Sequence, residues 1–193
     1  TLLGQNDNWK STQKAGIAAT GIAPSSDLES AMIVTLPPGA YTAVMSDANS
    51  QSGIGLLEVY DLSPNDKTVL LNVSTRGFAG TNDDVIIGGL IVGAGENATF
   101  VTRAIGPSLR SAHIQNSLAD PVLELHDGNG QLIDMNDNWK DSQQDEITAS
   151  GLAPTDDHEA ALIESLPTGN YTTVVRGAGA ATGVALVEIY RVR

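Results

Sequence analysis

The residues Asp120-Pro-Val-Leu-Glu-Leu-His-Asp-Gly-Asn-Gly130 alternate between apolar and polar side chains and then run into a turn. In an extended chain successive side chains point to opposite faces, so Leu123 and Leu125 share one face while Glu124 and His126 share the other. Asp127-Gly-Asn-Gly130 has the residue types that a tight turn needs, and 131–135 resumes as a second strand. Strand, turn and strand with one apolar face predict an antiparallel sheet that buries that face against another layer.

Downstream of this hairpin the chain repeats an earlier part of itself. Residues 6–62 align with 136–192 without a gap, at an offset of 130, and roughly 26 of 57 positions are identical. Asn6-Asp-Asn-Trp-Lys10 matches Asn136-Asp-Asn-Trp-Lys140, and Leu36, Pro37, Gly39 and Tyr41 match Leu166, Pro167, Gly169 and Tyr171. Leu56, Glu58 and Tyr60 match Leu186, Glu188 and Tyr190. The segment between the copies occurs once. Three parts are therefore expected: a truncated β-module at 1–62 (copy 1), an intervening β segment at 63–118, and a complete module at 119–193 (copy 2). Copy 1 has only Thr1 to Gln5 where copy 2 has its hairpin. Its opening strand is expected either to have been lost from a longer array or to be supplied by a neighbouring chain.

Short β-prone runs bounded by turn residues predict strands at 30–36, 41–46, 55–61, 68–75, 85–92, 98–104, 121–126, 131–135, 160–166, 171–176 and 184–191. A turn of helix is expected around Asp141–Ser150 and around Pro107–Ala112. The predicted fold class is all-β: two jelly-roll-like β-sandwich modules, the first lacking its opening strand. Val85-Ile-Ile-Gly-Gly-Leu-Ile-Val92 is apolar on both faces, which predicts a central strand covered on both sides, with an intermolecular strand as the alternative.

Of the 193 residues, 41% are apolar but only 4% aromatic, so the core must rest on aliphatic side chains. Ten basic against 23 acidic residues give a net charge of −13, a sign that repels nucleic acid and anionic membrane surfaces. Cysteine is absent, which removes disulfides, Cys-type zinc sites and thiol catalysis. The longest apolar run is about half of what a membrane-spanning helix needs. There is no P-loop, no dinucleotide fingerprint and no Gly-x-Ser-x-Gly elbow.

Leu123-Glu-Leu-His-Asp-Gly-Asn-Gly130, the Asn136-Asp-Asn138 turn, Leu166-Pro-Thr-Gly-Asn-Tyr171 and the closing strand to Tyr190 resemble the prepeptidase C-terminal (PPC-like) β-sandwich domains of secreted bacterial proteins. Leu71-Asn-Val-Ser-Thr-Arg-Gly-Phe78 and Arg103-Ala-Ile-Gly-Pro-Ser-Leu109 look like phrases of long repeat-containing bacterial surface proteins. The resemblance implies a secreted or surface-bound accessory or structural module.

The acidic loops are the candidate chemistry. Asp134, Asn136, Asp137 and Asn138 form one cluster, echoed by Asn6, Asp7 and Asn8; Asp156, Asp157 and Glu159 form another. Such oxygens suit calcium, and the same side chains also cap turns through backbone N–H groups. Trp9 and Trp139 can stack on sugar or plug the sandwich. Arg76, Arg103 and Arg110 can meet acidic faces of a neighbour or pair locally. The functional expectation is a non-enzymatic extracellular structural subunit, self-associating head to tail through Thr1, Leu2, Leu3 and Val85, Ile86, Ile87. The alternative is a carbohydrate-binding or accessory module.

Overall fold

A computed structural model describes residues 1–63, 70–95 and 97–192. The chain divides into two compact units, Thr1–Val69 and Leu70–Arg193. The start of the strand expected at 68–75 lies outside the described residues.

The second unit has eight strands: β1 (Asn72–Ala79), β2 (Ile86–Val92), β3 (Ala98–Ile105), β4 (Pro121–Asp127), β5 (Leu132–Asn136), β6 (Ala160–Leu166), β7 (Gly169–Gly177) and β8 (Gly183–Arg191). They form two four-stranded sheets in the orders β1-β8-β3-β6 and β2-β7-β4-β5, with every ladder antiparallel. Eight strands in these two orders are a jelly roll. The β-sandwich expectation is observed here, and strand positions follow the sequence pattern where alternation marks a buried face, whereas β1 runs 72–79 in place of the expected 68–75. The core between the sheets takes Ile86, Val92, Phe100, Leu123, Leu125, Leu162, Leu166, Val175, Val187 and Ile189, among others. Leu118, from the loop between β3 and β4, is fully buried in the same core. The backbone there passes so close that a Cβ on Gly106 would run into the Leu118 carbonyl.

The connectivity has a rule. Call β1–β4 the first half and β5–β8 the second. All six ladders (β1·β8, β2·β7, β3·β6, β3·β8, β4·β5, β4·β7) join a first-half strand to a second-half strand. The two halves alternate across both sheets, so neither half makes a ladder with itself. The sequence suggested a boundary between 63–118 and 119–193. The fold has none there, because strands of the two segments interleave in both sheets.

The apolar run at 85–92 is not a central strand. β2 stands at the edge of its sheet and pairs only with β7. Ile86 and Val92 enter the core, whereas Ile87 and Ile91 are 57% and 70% exposed. Gly88 faces inward, where a Cβ would press on Thr173 Oγ1 at 2.8 Å.

In the first unit a 3₁₀ turn, Trp9–Ser11, precedes helix α1, Lys14–Ala19. The expected strands at 30–36, 41–46 and 55–61 are in no ladder among the described residues. The counterpart helix in the second unit is α2, Gln144–Ala149, and the turn expected near 107–112 is a 3₁₀ helix.

Candidate functional site

The loop from Asn136 to Glu159 is built by side chains that serve the backbone. Trp139, Ile147 and Ala161 form a second small cluster, with Ala153 and Ile163 at its rim. Ala161 and Ile163 alternate with the core residues Ala160 and Leu162, so the loop lies on the outer face of the first sheet. Trp139 donates through Nε1 to the Asp156 carbonyl at 3.2 Å, and the Lys140 ammonium sits 5.3 Å from its ring centre. Trp9 repeats this with the Ser26 carbonyl at 3.1 Å and Lys10 at 5.3 Å. Both indoles are buried, at 6% and 7% exposure, so neither Trp9 nor Trp139 offers a face on which a sugar can stack. They are plugs, Trp139 of a sheet face rather than of the sandwich end.

β6 is an edge strand, and two side chains close its free edge. Asn136 Oδ1 accepts from Ala161 N at 3.0 Å. The Gln143 amide both accepts from Ile163 N and donates to the Ile163 carbonyl, each at 3.0 Å. An amide that pairs both ways imitates the neighbouring strand and denies the edge to others. Gln143 holds a left-handed backbone (φ 53) to do so, as does Gln13 (φ 51). In the first unit Asn6 bonds Ala31 N at 3.1 Å, and Gln13 bonds both Ile33 groups at 2.8 and 3.0 Å.

The acidic residues that suggested calcium are largely engaged elsewhere. Glu159 is fully buried. Its Oε1 accepts from Gly106 N (3.1 Å), Ser108 N (3.0 Å) and Ser108 Oγ (2.6 Å), and its Oε2 from Asp156 N (3.3 Å). Asp156 Oδ1 accepts from His158 N, Asp134 Oδ1 from Met135 N, and Asp157 pairs with Lys140. Asn138 Nδ2 reaches Asp141, and Asn8 Nδ2 reaches Asp7. Among the described residues no three His, Asp or Glu side chains converge to hold a metal ion.

Asp137 is the exception, since it is set against another acid. Burial, and then the Asp120 carboxylate beside it, hold its carboxyl above the ordinary aspartate value. One Asp120 oxygen is itself buried without a partner. A raised carboxyl contributes stability that is present below the ordinary aspartate value and lost as pH rises through the raised one. Asp137→Asn is therefore expected to raise the melting temperature near neutral pH by about a degree or two, with the gap closing in acid. Thermal melts of both proteins across that range check it.

Sequence reasoning offered local pairing for Arg103 but not its partner. Arg103 on β3 donates through Nε to Glu188 Oε2 at 3.0 Å and through a second, close contact from Nη2. It also donates through Nη1 to the Leu152 carbonyl at 2.8 Å and lies 5.1 Å from the Tyr190 ring centre. Tyr190 in turn donates to Glu188 Oε1 at 2.7 Å. Arg103 is thus locally paired, tying β3 to β8 and to the end of the 136–159 loop. Together with Glu159 it lines a cleft of about 240 Å³ that also holds Ile105, Ser108, Pro154 and Leu186. The signal was present in Arg103-Ala-Ile-Gly-Pro-Ser-Leu109, whose arginine, glycine and serine each serve one end of this clamp. The two carboxylates in the cleft already accept several hydrogen bonds each.

A second, shallower hollow of about 590 Å³ lies along the outer face of the β2-β7-β4-β5 sheet and its loops, lined by Ile87, His126, Asp127, Asn170, Thr172 and Arg176, among others. Two of these residues bond Glu124, which accepts from His126 Nε2 and Arg176 Nη2, both at 2.9 Å.

Fold and clamp together define an eight-stranded jelly-roll module whose two halves are locked by buried acid–backbone and arginine–acid contacts. No family model matches the chain, and no curated protein matches it. Among solved structures it is similar to the pre-peptidase C-terminal domain of a collagenase from Bacillus anthracis, at 10% identity and a TM-score of 0.39, over 62% of this chain and 89% of that one. The strand order, rather than this likeness, establishes the fold. Among the described residues no helix is long and apolar enough to cross a membrane.

Proposed function

We propose that this chain is a non-enzymatic structural subunit, a repeat unit of an extracellular filament or surface fibre that assembles by β-strand complementation. The observation that carries this reading is the first unit. It holds strand-like sequence with no ladder among the described residues, and it exposes Leu36, Val44, Ile54, Leu56, Leu57 and Val59. Unpaired backbone beside apolar side chains is a template for another chain. Leu2 and Leu3 are exposed in the same unit, and in the second unit Ile87 lies on an edge strand that, among the described residues, no side chain closes as Gln143 closes β6. Ile86, by contrast, belongs to the core and is not available for contact.

Purified chain is expected to form particles that grow with concentration in sedimentation and appear as fibres by electron microscopy. Ile87→Lys should reduce that growth, because a lysine on an edge strand resists strand addition. A dispersed monomer at high concentration, with slow hydrogen exchange throughout residues 30–61, would overturn the reading.

A second reading, a carbohydrate-binding accessory module, draws support from the hollow over the second sheet, where Asn170, Thr172 and Arg176 line a shallow surface. It predicts glycan binding that is lost on Arg176→Ala and indifferent to Trp139.

A further inference from the structure

Residues 2–62 carry the sequence of a jelly-roll second half. The part of a second half that needs no partner is built alike in both units: the Asn6 and Gln13 bonds repeat those of Asn136 and Gln143, and Trp9 N donates to the Glu29 carbonyl at 2.8 Å as Trp139 N does to that of Glu159 at 2.9 Å. The part that needs a first half is not. Met32, Leu36, Leu57 and Val59 are exposed, whereas their counterparts Leu162, Leu166, Val187 and Ile189 are core. In the second unit every ladder crosses between halves, so four second-half strands have nothing to pair with until a first half arrives. The sequence contains one first half, 72–127, and two second halves, and the second unit already uses that first half.

The polar grips tell the same story. Glu29 accepts from Ser26 N at 3.0 Å, as Glu159 does from Asp156 N, but its own unit has no counterpart of the Gly106 and Ser108 amides. Glu58 accepts from Tyr60 at 2.9 Å, as Glu188 does from Tyr190, yet residues 1–69 contain no arginine to play the part of Arg103.

We infer that residues 2–62 are a docking seat for a whole jelly-roll first half, a four-strand segment with the chemistry of residues 70–127. Its arginine grips Glu58, its Gly-Pro-Ser turn grips Glu29, and its strands interleave with the strand-like segments of 2–62. A single donor strand does not fill such a seat. This rests on the complementation reading and specifies what complements.

The test uses the full chain and a polypeptide of residues 70–135 as the probe, diluted from denaturant into the native protein. A 1:1 complex is expected in sedimentation, with hydrogen exchange across residues 30–61 slowed at least 100-fold. Arg103→Ala in the probe, or Glu58→Gln in the full chain, should each weaken binding tenfold or more. Failure to bind, binding without protection of 30–61, or equal binding by the Arg103→Ala probe would each overturn the inference. Fibres from the full chain alone together with no binding of the probe would sink this inference and spare the fibre reading. Probe binding by a chain that never self-associates would do the reverse.

Discussion

Replacing Glu159 by alanine is expected to destabilise the second unit by about 3–5 kcal/mol, the range for a buried charged hydrogen-bonding group whose partners are left behind. Four donors lose their acceptor at once: the amides of Gly106, Ser108 and Asp156 and the Ser108 hydroxyl. Each donor left buried and unsatisfied costs about 1–3 kcal/mol, and water entering the cavity recovers part of that. Chemical denaturation of the full chain checks it: the midpoint of the second unit's transition should fall with its slope unchanged. Glu159→Gln retains an acceptor oxygen and should recover part of the loss. A loss under about 1 kcal/mol for the alanine variant would mean that Glu159 does not hold the loop after β3.

Arg103→Ala should cost about 2–4 kcal/mol, because it leaves Glu188, 8% exposed, without the two N–H donors on its Oε2 and frees the Leu152 carbonyl. The sharper expectation concerns the pair. Ion pairs in partly buried sites cost desolvation that apolar residues of similar size avoid, so Arg103→Met with Glu188→Leu should be more stable than Arg103→Ala alone. A double-mutant cycle on Arg103 and Glu188 measures the coupling. Strict additivity of the single losses would show that the two side chains stabilise the fold independently.

The positions of the second unit's strands could be read from the sequence, and their partners could not. Leu123, Leu125, Val187 and Ile189 alternate with polar residues, and alternation marks a half-buried strand wherever its neighbours lie. Which strand lies beside which is set by ladders between residues as far apart as Asn72 and Tyr190, and no local pattern encodes that. The run at 85–92 failed for a related reason. Being apolar on both faces, it reads like a strand covered on both sides, yet it is an edge strand whose outer face presents Ile87 and Ile91. In the first unit the same alternation is present but finds no ladder among the described residues, because pattern predicts the capacity to pair and not the partner.

The candidate site was half visible. Asn136 and Glu159 stood out as acidic-loop residues, and their chemistry, oxygen acceptors in a turn-rich segment, suits an ion and an amide alike. What separates the two is burial and the presence of N–H groups from a distant loop, here Gly106 and Ser108. Arg103 was conspicuous, but its partner lies 85 residues on along the chain.

The interleaved halves also dictate how this fold can be reached. The ladders nest: β4 with β5, then β3 with β6, β2 with β7, and β1 with β8. Only the innermost is a local hairpin, closed by the Asp127–Gly130 turn. Each later ladder spans a longer stretch of chain, and its loop-closure entropy shrinks once the one inside it has formed. The order of closure that costs least entropy runs outward from the turn at 127–130, with β1 and β8 last.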